Sequence, residues 1–178
     1  MQKEVKKLIE AIAIARKSYL EIANTFNQNQ AEWKPSPEVW NAVEITEHLF
    51  WAEQGGIFGM WKTIQAHKEG KSGWEGDAVH AGLEIEEIIA KTWKEKEIVP
   101  VVAAPRLGGT LAFWTASLHS LQGVLEEFAD ELSDDALEIM AHPHPISGAM
   151  NIRQRLEFIR FHIERHRGQL VVKLAKKF

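Results

Sequence analysis

The apolar positions at the start of the chain, from Val5, Leu8, Ile9 and Ile12 through Ala15 and Tyr19 to Ile22, Ala23 and Phe26, recur at steps of three and four. That period marks a helix with one buried face and predicts a first long helix over residues 2–27. A polar stretch from Gln28 to Pro37 follows. Asn41 with Glu44 three residues on then forms a capping-box pair, and Trp40 stands where it can staple onto Ile45, so a second long helix begins here. It is expected to run to about Lys68, with Gly70 as its stop. Residues 71–109 carry a mixed signal: one short helix around Leu83 to Lys96, then Pro100, Pro105, Gly108 and Gly109, the punctuation of a long crossover with its own helix. Thr110 is a cap for a third long helix, in which Leu111, Trp114, Leu118, Leu121, Leu125 and Phe128 form a stripe ending near Leu132. After the turn-rich segment from His142 to Gly148, Asn151 and Gln154 repeat the capping-box spacing and open a fourth long helix to about Lys173. Its Lys173, Lys176 and Lys177 suit the negative end of the helix dipole. No run has the strand period and no repeat competes, so the pattern predicts an all-α fold, a four-helix bundle with a long crossover carrying an extra short helix, in a single domain over residues 1–178.

Composition narrows what such a bundle can do. Twenty-five Asp and Glu against 21 Lys and Arg give a formal charge of −4, and no basic run interleaves with aromatics. A nucleic acid is therefore not an expected partner. Cysteine is absent, which removes disulfides, thiolate nucleophiles and thiolate metal sites together, so any metal must sit on His, Asp or Glu. The first residues are charged and lack the apolar stretch of a signal peptide, and no apolar run approaches the ~18 residues of a membrane span, so the expected address is the cytoplasm with no membrane partner.

Eight histidines are the remaining unusual feature. His162 and His166 fall within the arc of Leu156, Ile159, Ile163, Leu170 and Leu174, so two imidazoles point into the bundle. Residues four apart on a helix have Cβ atoms about 5–6 Å apart, close enough for two ring nitrogens to meet on one ion. Spacing alone carries little; the burial phase carries the argument, because packed imidazoles would leave polar nitrogens unpaired at about 1–3 kcal/mol each. On the second helix Ile45, Leu49, Ala52, Gly56 and Gly59 mark the inward face, and His48 stands on it as a third ligand. Three neutral imidazoles leave coordination positions open on a divalent ion, zinc or nickel before iron or manganese. A hydrogen-bonded core cluster of histidines is the competing reading of the same positions.

Trp40-Asn41-Ala42-Val43-Glu44 followed by Glu47-His48-Leu49, the loop from His142-Pro143 to Gly148, and His162-Ile163-Glu164-Arg165-His166-Arg167-Gly168-Gln169-Leu170 together resemble the DinB superfamily of DinB/YfiT-like metalloenzymes, across essentially the whole chain. The resemblance implies a four-helix bundle, commonly a homodimer, with a divalent metal on one His of the second helix and an HxxxH pair of the last. Those positions correspond to His48, His162 and His166. It also implies chemistry, since characterised members include bacillithiol S-transferases and mycothiol-dependent isomerases. The leading expectation is thus a metal-dependent enzyme that activates a low-molecular-weight thiol, a co-substrate, for transfer to a small electrophile. A metal-dependent hydrolase using water and a non-catalytic, metal-stabilised ligand-binding bundle are the alternatives.

Further residues are weaker candidates. His119 lies near the stripe of the third helix and Gln169 one turn beyond His166, where each could support a ligand or line a pocket. Trp51 and Trp114, with Trp61 and Phe113, could line an apolar pocket or simply pack. His142 and His144 are expected to serve a turn, and His67 and His80 to lie on the surface. Glu47 and Glu164 are turned away from the ligand face by helical phase, which leaves a general base unassigned. An all-His site should lose its ion as pH falls through about 6.

Overall fold

A computed structural model describes residues 1–72, 74–94 and 98–177, the side chains of 174–177 excepted. Its α-helices are α1 (Lys3–Ala23), α2 (Gln28–Glu32), α3 (Ala42–Lys68), α4 (Ile85–Thr92), α5 (Leu111–Asp130) and α6 (Ile152–Lys177), with 3₁₀ turns at Val101–Ala103 and Asp135–Glu138. The fold is all-α, and α1, α3, α5 and α6 are the four long helices of a bundle. No helix among the described residues is long and apolar enough to cross a membrane.

The helix starts follow the capping chemistry. Asn41 and Glu44 bond reciprocally at the head of α3, as do Asn151 and Gln154 at the head of α6, and Thr110 accepts from the Phe113 N–H. Gly70, with φ 73°, follows the end of α3 in the left-handed region that a C-terminal stop requires. The first helix is shorter than its apolar period predicts. It ends at Ala23, because Asn27 and Gln30 form a capping box of their own and start α2 inside the expected loop. The crossover helix is likewise shorter, Ile85–Thr92, with a box from Glu84 and Glu87; residues 95–97 of its expected span lie outside the described ones. Helix α6 continues to Lys177, past the expected end, and Leu174 of the expected stripe has no described side chain.

Helix α1 packs along α6 and α5, and α3 packs along α5 and α6, so α1 and α3 stand diagonally opposite. Their directions are fixed by end-to-end contacts. Glu131, just past α5, meets Gln65 and Lys68 at the end of α3, while Gly108, just before α5, bonds Glu47 at the start of α3, so these two neighbours run parallel. Val5 at the start of α1 bonds Asp134 beyond the end of α5, and Tyr19 near its end reaches Thr46 near the start of α3, so α1 runs against both. Parallel neighbours need a connection as long as the helix, about 40 Å for 27 residues at 1.5 Å each, and the crossover over residues 69–110 supplies it.

Two apolar clusters hold the elements. The main one fills the bundle between the four long helices; the smaller one seats Ile85, Ile88 and Ile89 of α4 on Met150 and Phe158, which brings the crossover against α6 near His162. Burial of this apolar surface is the dominant favourable term. A polar seam crosses the bundle: Arg16 of α1 pairs with Glu53 of α3 and also bonds Gln122 of α5, both members of the ion pair being 2 % exposed.

Candidate metal centre

His48 on the second turn of α3 and His162 and His166 on consecutive turns of α6 are all nearly buried, at 5–6 % exposure. Antiparallel packing of α3 and α6 brings the three rings together. The His162 Nε2 lies 3.1 Å from the Nε2 of His48 and 3.1 Å from that of His166. One ring nitrogen from each lies within 4.8 Å of the others, the only such group of three potential ligands among the described residues.

Hydrogen bonds on the far side of two rings decide which nitrogen faces inward. His48 donates Nδ1–H to the Ala103 carbonyl at 2.8 Å, and His166 donates Nδ1–H to Gln169 Oε1 at 2.9 Å. A neutral imidazole carries one proton, so both Nε2 atoms are left as lone pairs aimed at the centre. The His162 Nε2 lies 3.1 Å from both: with its proton there it can donate to one of them, and with its lone pair there the three nitrogens repel unless a cation lies among them. For a Zn–N bond of about 2.1 Å, ligand nitrogens stand about 3.4 Å apart in a tetrahedron and about 3.0 Å in an octahedron, so the observed spacing fits a first-row divalent ion. The residues present thus suit a metal, and the oxygen acceptors behind two of them are the outer contacts that orient metal-binding histidines.

Burial pushes all three histidines below their usual range, His166 to about 3; for His162 and His166 the positive charge of neighbouring histidines adds to the effect, while the bond to Ala103 works the other way for His48. Neutral rings are what a cation requires. Proton competition for the ion should therefore begin at lower pH than the value near 6 expected from an unperturbed imidazole.

The carbonyl behind His48 is itself held in place. Glu47, fully buried, accepts the backbone N–H groups of Arg106, Leu107 and Gly108 and the Trp51 Nε1–H. Desolvation works to raise its pKa, and these four donors outweigh it, so the carboxyl is held below the usual range and stays ionised. Its helical phase does turn it away from the ligands. Its task is to clamp the segment that follows Ala103, a long-range contact with no local sequence signal. Glu164 is exposed and pairs with Arg160.

The cluster borders a cleft of about 1530 Å³ whose apolar walls include Trp33, Trp40, Trp51 and Trp93. Trp40 lies with its ring centroid 5.0 Å from that of His48. Gln169 and Trp51 are on the lining, and so are Ala52, Gly56 and Gly59 of α3. Trp114 is not: it is buried behind Trp51, with its Nε1–H on the Gly108 carbonyl. His119 is corrected as well. It is exposed on α5 and absent from the lining, since one residue beyond buried Leu118 a helix has turned by about 100°. His80, expected on the surface, is half-buried and its Nε2 bonds the Ser147 carbonyl at 2.6 Å. His144 does serve a turn, accepting the Ile146 and Ser147 N–H groups on Nδ1, and also faces the cleft.

The family model described as the DinB superfamily matches residues 11–170. The chain belongs to the DinB superfamily. Solved structures share its fold at low identity, which carries the fold alone. YfiT from Bacillus subtilis, described as a probable metal-dependent hydrolase with an unusual four-helix bundle topology, superposes with a TM-score of 0.65 at 12% identity over 99% of this chain and 89% of its own. A conserved protein from Enterococcus faecalis gives 0.58 at 13% identity over 97% and 96%. The colibactin self-resistance protein ClbS, solved in complex with a dsDNA, gives 0.57 at 15% identity over 98% and 96%. No curated protein matches the chain.

Proposed function

We propose that this DinB-superfamily chain is a metal-dependent enzyme that transfers a low-molecular-weight thiol to a small electrophile, with His48, His162 and His166 as the ligands of one divalent ion. The observation that carries the proposal is the convergence of three neutral imidazoles on the edge of a large, aromatic-walled cleft. When bound, such an ion supplies Lewis acidity that favours the deprotonated form of a nucleophile at neutral pH. The protein's own groups do the rest. Ala103 and Gln169 hold two ligand rings in one tautomer, and Trp40, Trp51 and Trp93 exclude water from an apolar substrate. The chain has no cysteine of its own, so a sulfur nucleophile must enter from outside.

Hydrolysis is the second reading, favoured by the description of YfiT as a probable metal-dependent hydrolase. It asks for a group to accept a proton from water, and Glu47, the nearest carboxylate to a ligand in sequence, is committed to four other donors. The volume of the cleft also suits two organic reactants better than one water. We further propose a homodimer, which sedimentation tests, and a small-molecule substrate.

The deciding experiment begins with elemental analysis. About one divalent ion per chain, zinc or nickel first, is expected, lost in His162→Ala and retained in His67→Ala; equal retention in both sinks the ligand assignment. The loaded and stripped proteins are then assayed with bacillithiol, glutathione, mycothiol and simple thiols against an electrophilic chromogenic acceptor, and with an ester and amide panel. Metal-dependent thiol transfer supports the proposal, metal-dependent turnover of esters alone replaces it with hydrolysis, and silence of both panels leaves a non-catalytic metal-stabilised bundle.

A further inference from the structure

Arg155 lies on α6 seven residues before His162, on the same helical face and about 10 Å along the axis. Its guanidinium lines the same cleft, yet its Nη1 is buried without a hydrogen-bond partner and it enters no ion pair among the described residues. The side chain as a whole is half-buried, but an enclosed donor atom left unpaired is costly, and native structures seldom keep one without a purpose. Desolvation alone pulls Arg155 down, to about 10, with no acid contributing. Gly56 of α3 faces it, where a Cβ would make ordinary contact with Nη2 at 3.7 Å, and Gly55 and Gly59 on the same lining have open space around them.

A second donor lines the same cleft. His144 accepts two backbone N–H groups on Nδ1, which places its proton on Nε2. No protein group among the described residues accepts that Nε2–H. The ring is held at a centroid distance of 4.4 Å by Phe158, which lies three residues along α6 from Arg155 and so neighbours it on the helix surface. The other arginine on the lining, Arg165, is engaged over the face of Trp93 at 5.1 Å.

We propose that Arg155 and His144 form a carboxylate-binding subsite in this cleft, so that the ligand taken by the protein is an elongated small molecule with an anionic end. A planar guanidinium with a neutral imidazole N–H matches the two oxygens and single charge of a carboxylate. A phosphate dianion would keep excess charge in an apolar cleft. The apolar walls cover the body of the molecule, and the spacing along α6 places its other end at the three imidazoles. That the far end meets the histidine cluster rests on the metal-dependent function proposed above; the anchoring of the carboxylate does not.

Two titrations separate these statements. In the first, metal-free protein is titrated with octanoate and with 1-octanol, followed by the fluorescence of the cleft tryptophans. Octanoate should bind about 10- to 100-fold tighter, the range for a hydrogen bond to a charged group, and the preference should vanish in Arg155→Gln and survive in part in Arg155→Lys. In the second, cobalt-loaded protein is titrated with 8-mercaptooctanoate, its methyl ester and 3-mercaptopropionate, followed by the thiolate-to-cobalt absorption band. The long acid should bind at least about ten-fold tighter than its ester, whereas the short acid, unable to span the distance, should show no dependence on Arg155. Equal binding of octanoate and octanol overturns the subsite in the native protein whether or not the variants fold. A preference that persists in Arg155→Gln, or displacement of octanoate by inorganic phosphate at lower concentration, overturns it too. Arg155-dependent octanoate binding with no cobalt band leaves the subsite standing and removes the metal-dependent reading instead.

Discussion

Replacing Glu47 by glutamine changes one atom at the point where α3 holds the segment before α5. In the native arrangement Oε1 accepts the Arg106 and Leu107 N–H groups at 2.8 Å each and Trp51 Nε1–H at 3.2 Å, and Oε2 accepts the Gly108 N–H at 2.9 Å. A glutamine with its oxygen in the Oε1 position keeps the first three as neutral bonds, and its amide meets the Gly108 N–H donor to donor. Bonds to a charged acceptor contribute about 1.5–3 kcal/mol net and neutral ones about 0.5–1.5, so one bond lost and three weakened sum to roughly 5 kcal/mol. Residues 106–108 are exposed, and their N–H groups can turn to water, which reduces the expected loss to about 2–4 kcal/mol. Urea unfolding of the metal-free variant, followed by far-ultraviolet circular dichroism, measures it. A second consequence concerns the site, because Ala103, three residues before Arg106, accepts the His48 Nδ1–H. Loosening that carbonyl should weaken zinc binding about ten-fold. A stability loss under about 0.5 kcal/mol would refute the clamp, and a full loss with unchanged zinc affinity would refute its coupling to His48.

Acid should destabilise the metal-free protein through its buried histidines. His144 and His166 are each lowered to about 3, so between that value and the unfolded value near 6.5 the unfolded chain binds the extra protons; stability is whole above pH 6.5 and falls below it. At about 1.4 kcal/mol per pH unit for each group, the two together cost roughly 5 kcal/mol at pH 4.5, and urea midpoints that stay level from pH 7.5 to 4.5 would contradict this. In the polar seam, Arg16→Met strands Glu53, whose carboxyl burial already pushes up, and should cost about 3–5 kcal/mol. Arg16→Met with Glu53→Leu should recover most of that loss, and a double variant no more stable than the single one would show that the pair is not what couples α1 to α3.

Local chemistry was legible wherever its partners lie within a few residues. The capping pairs Asn41 with Glu44 and Asn151 with Gln154 marked two helix starts, the apolar stripes marked the buried faces, and the common phase of His162 and His166 marked a shared centre, because spacing along a helix is fixed by its own geometry. The same reasoning erred where local signals overlapped: the period through Phe26 concealed the break after Ala23, and closeness to the apolar stripe of α5 suggested a place for His119 that a turn of about 100° from buried Leu118 denies. Contacts between distant residues needed the tertiary structure. The parallel course of α3 and α5 sets Glu47 beneath Arg106 to Gly108, and the crossover puts Ala103 behind His48. Antiparallel packing of α3 on α6 places the His48 Nε2 3.1 Å from that of His162, 114 residues away. Hydrophobic periodicity states which face of each helix is buried and leaves open which helix covers it, since apolar packing is non-directional; that choice was made by the fit of the whole bundle.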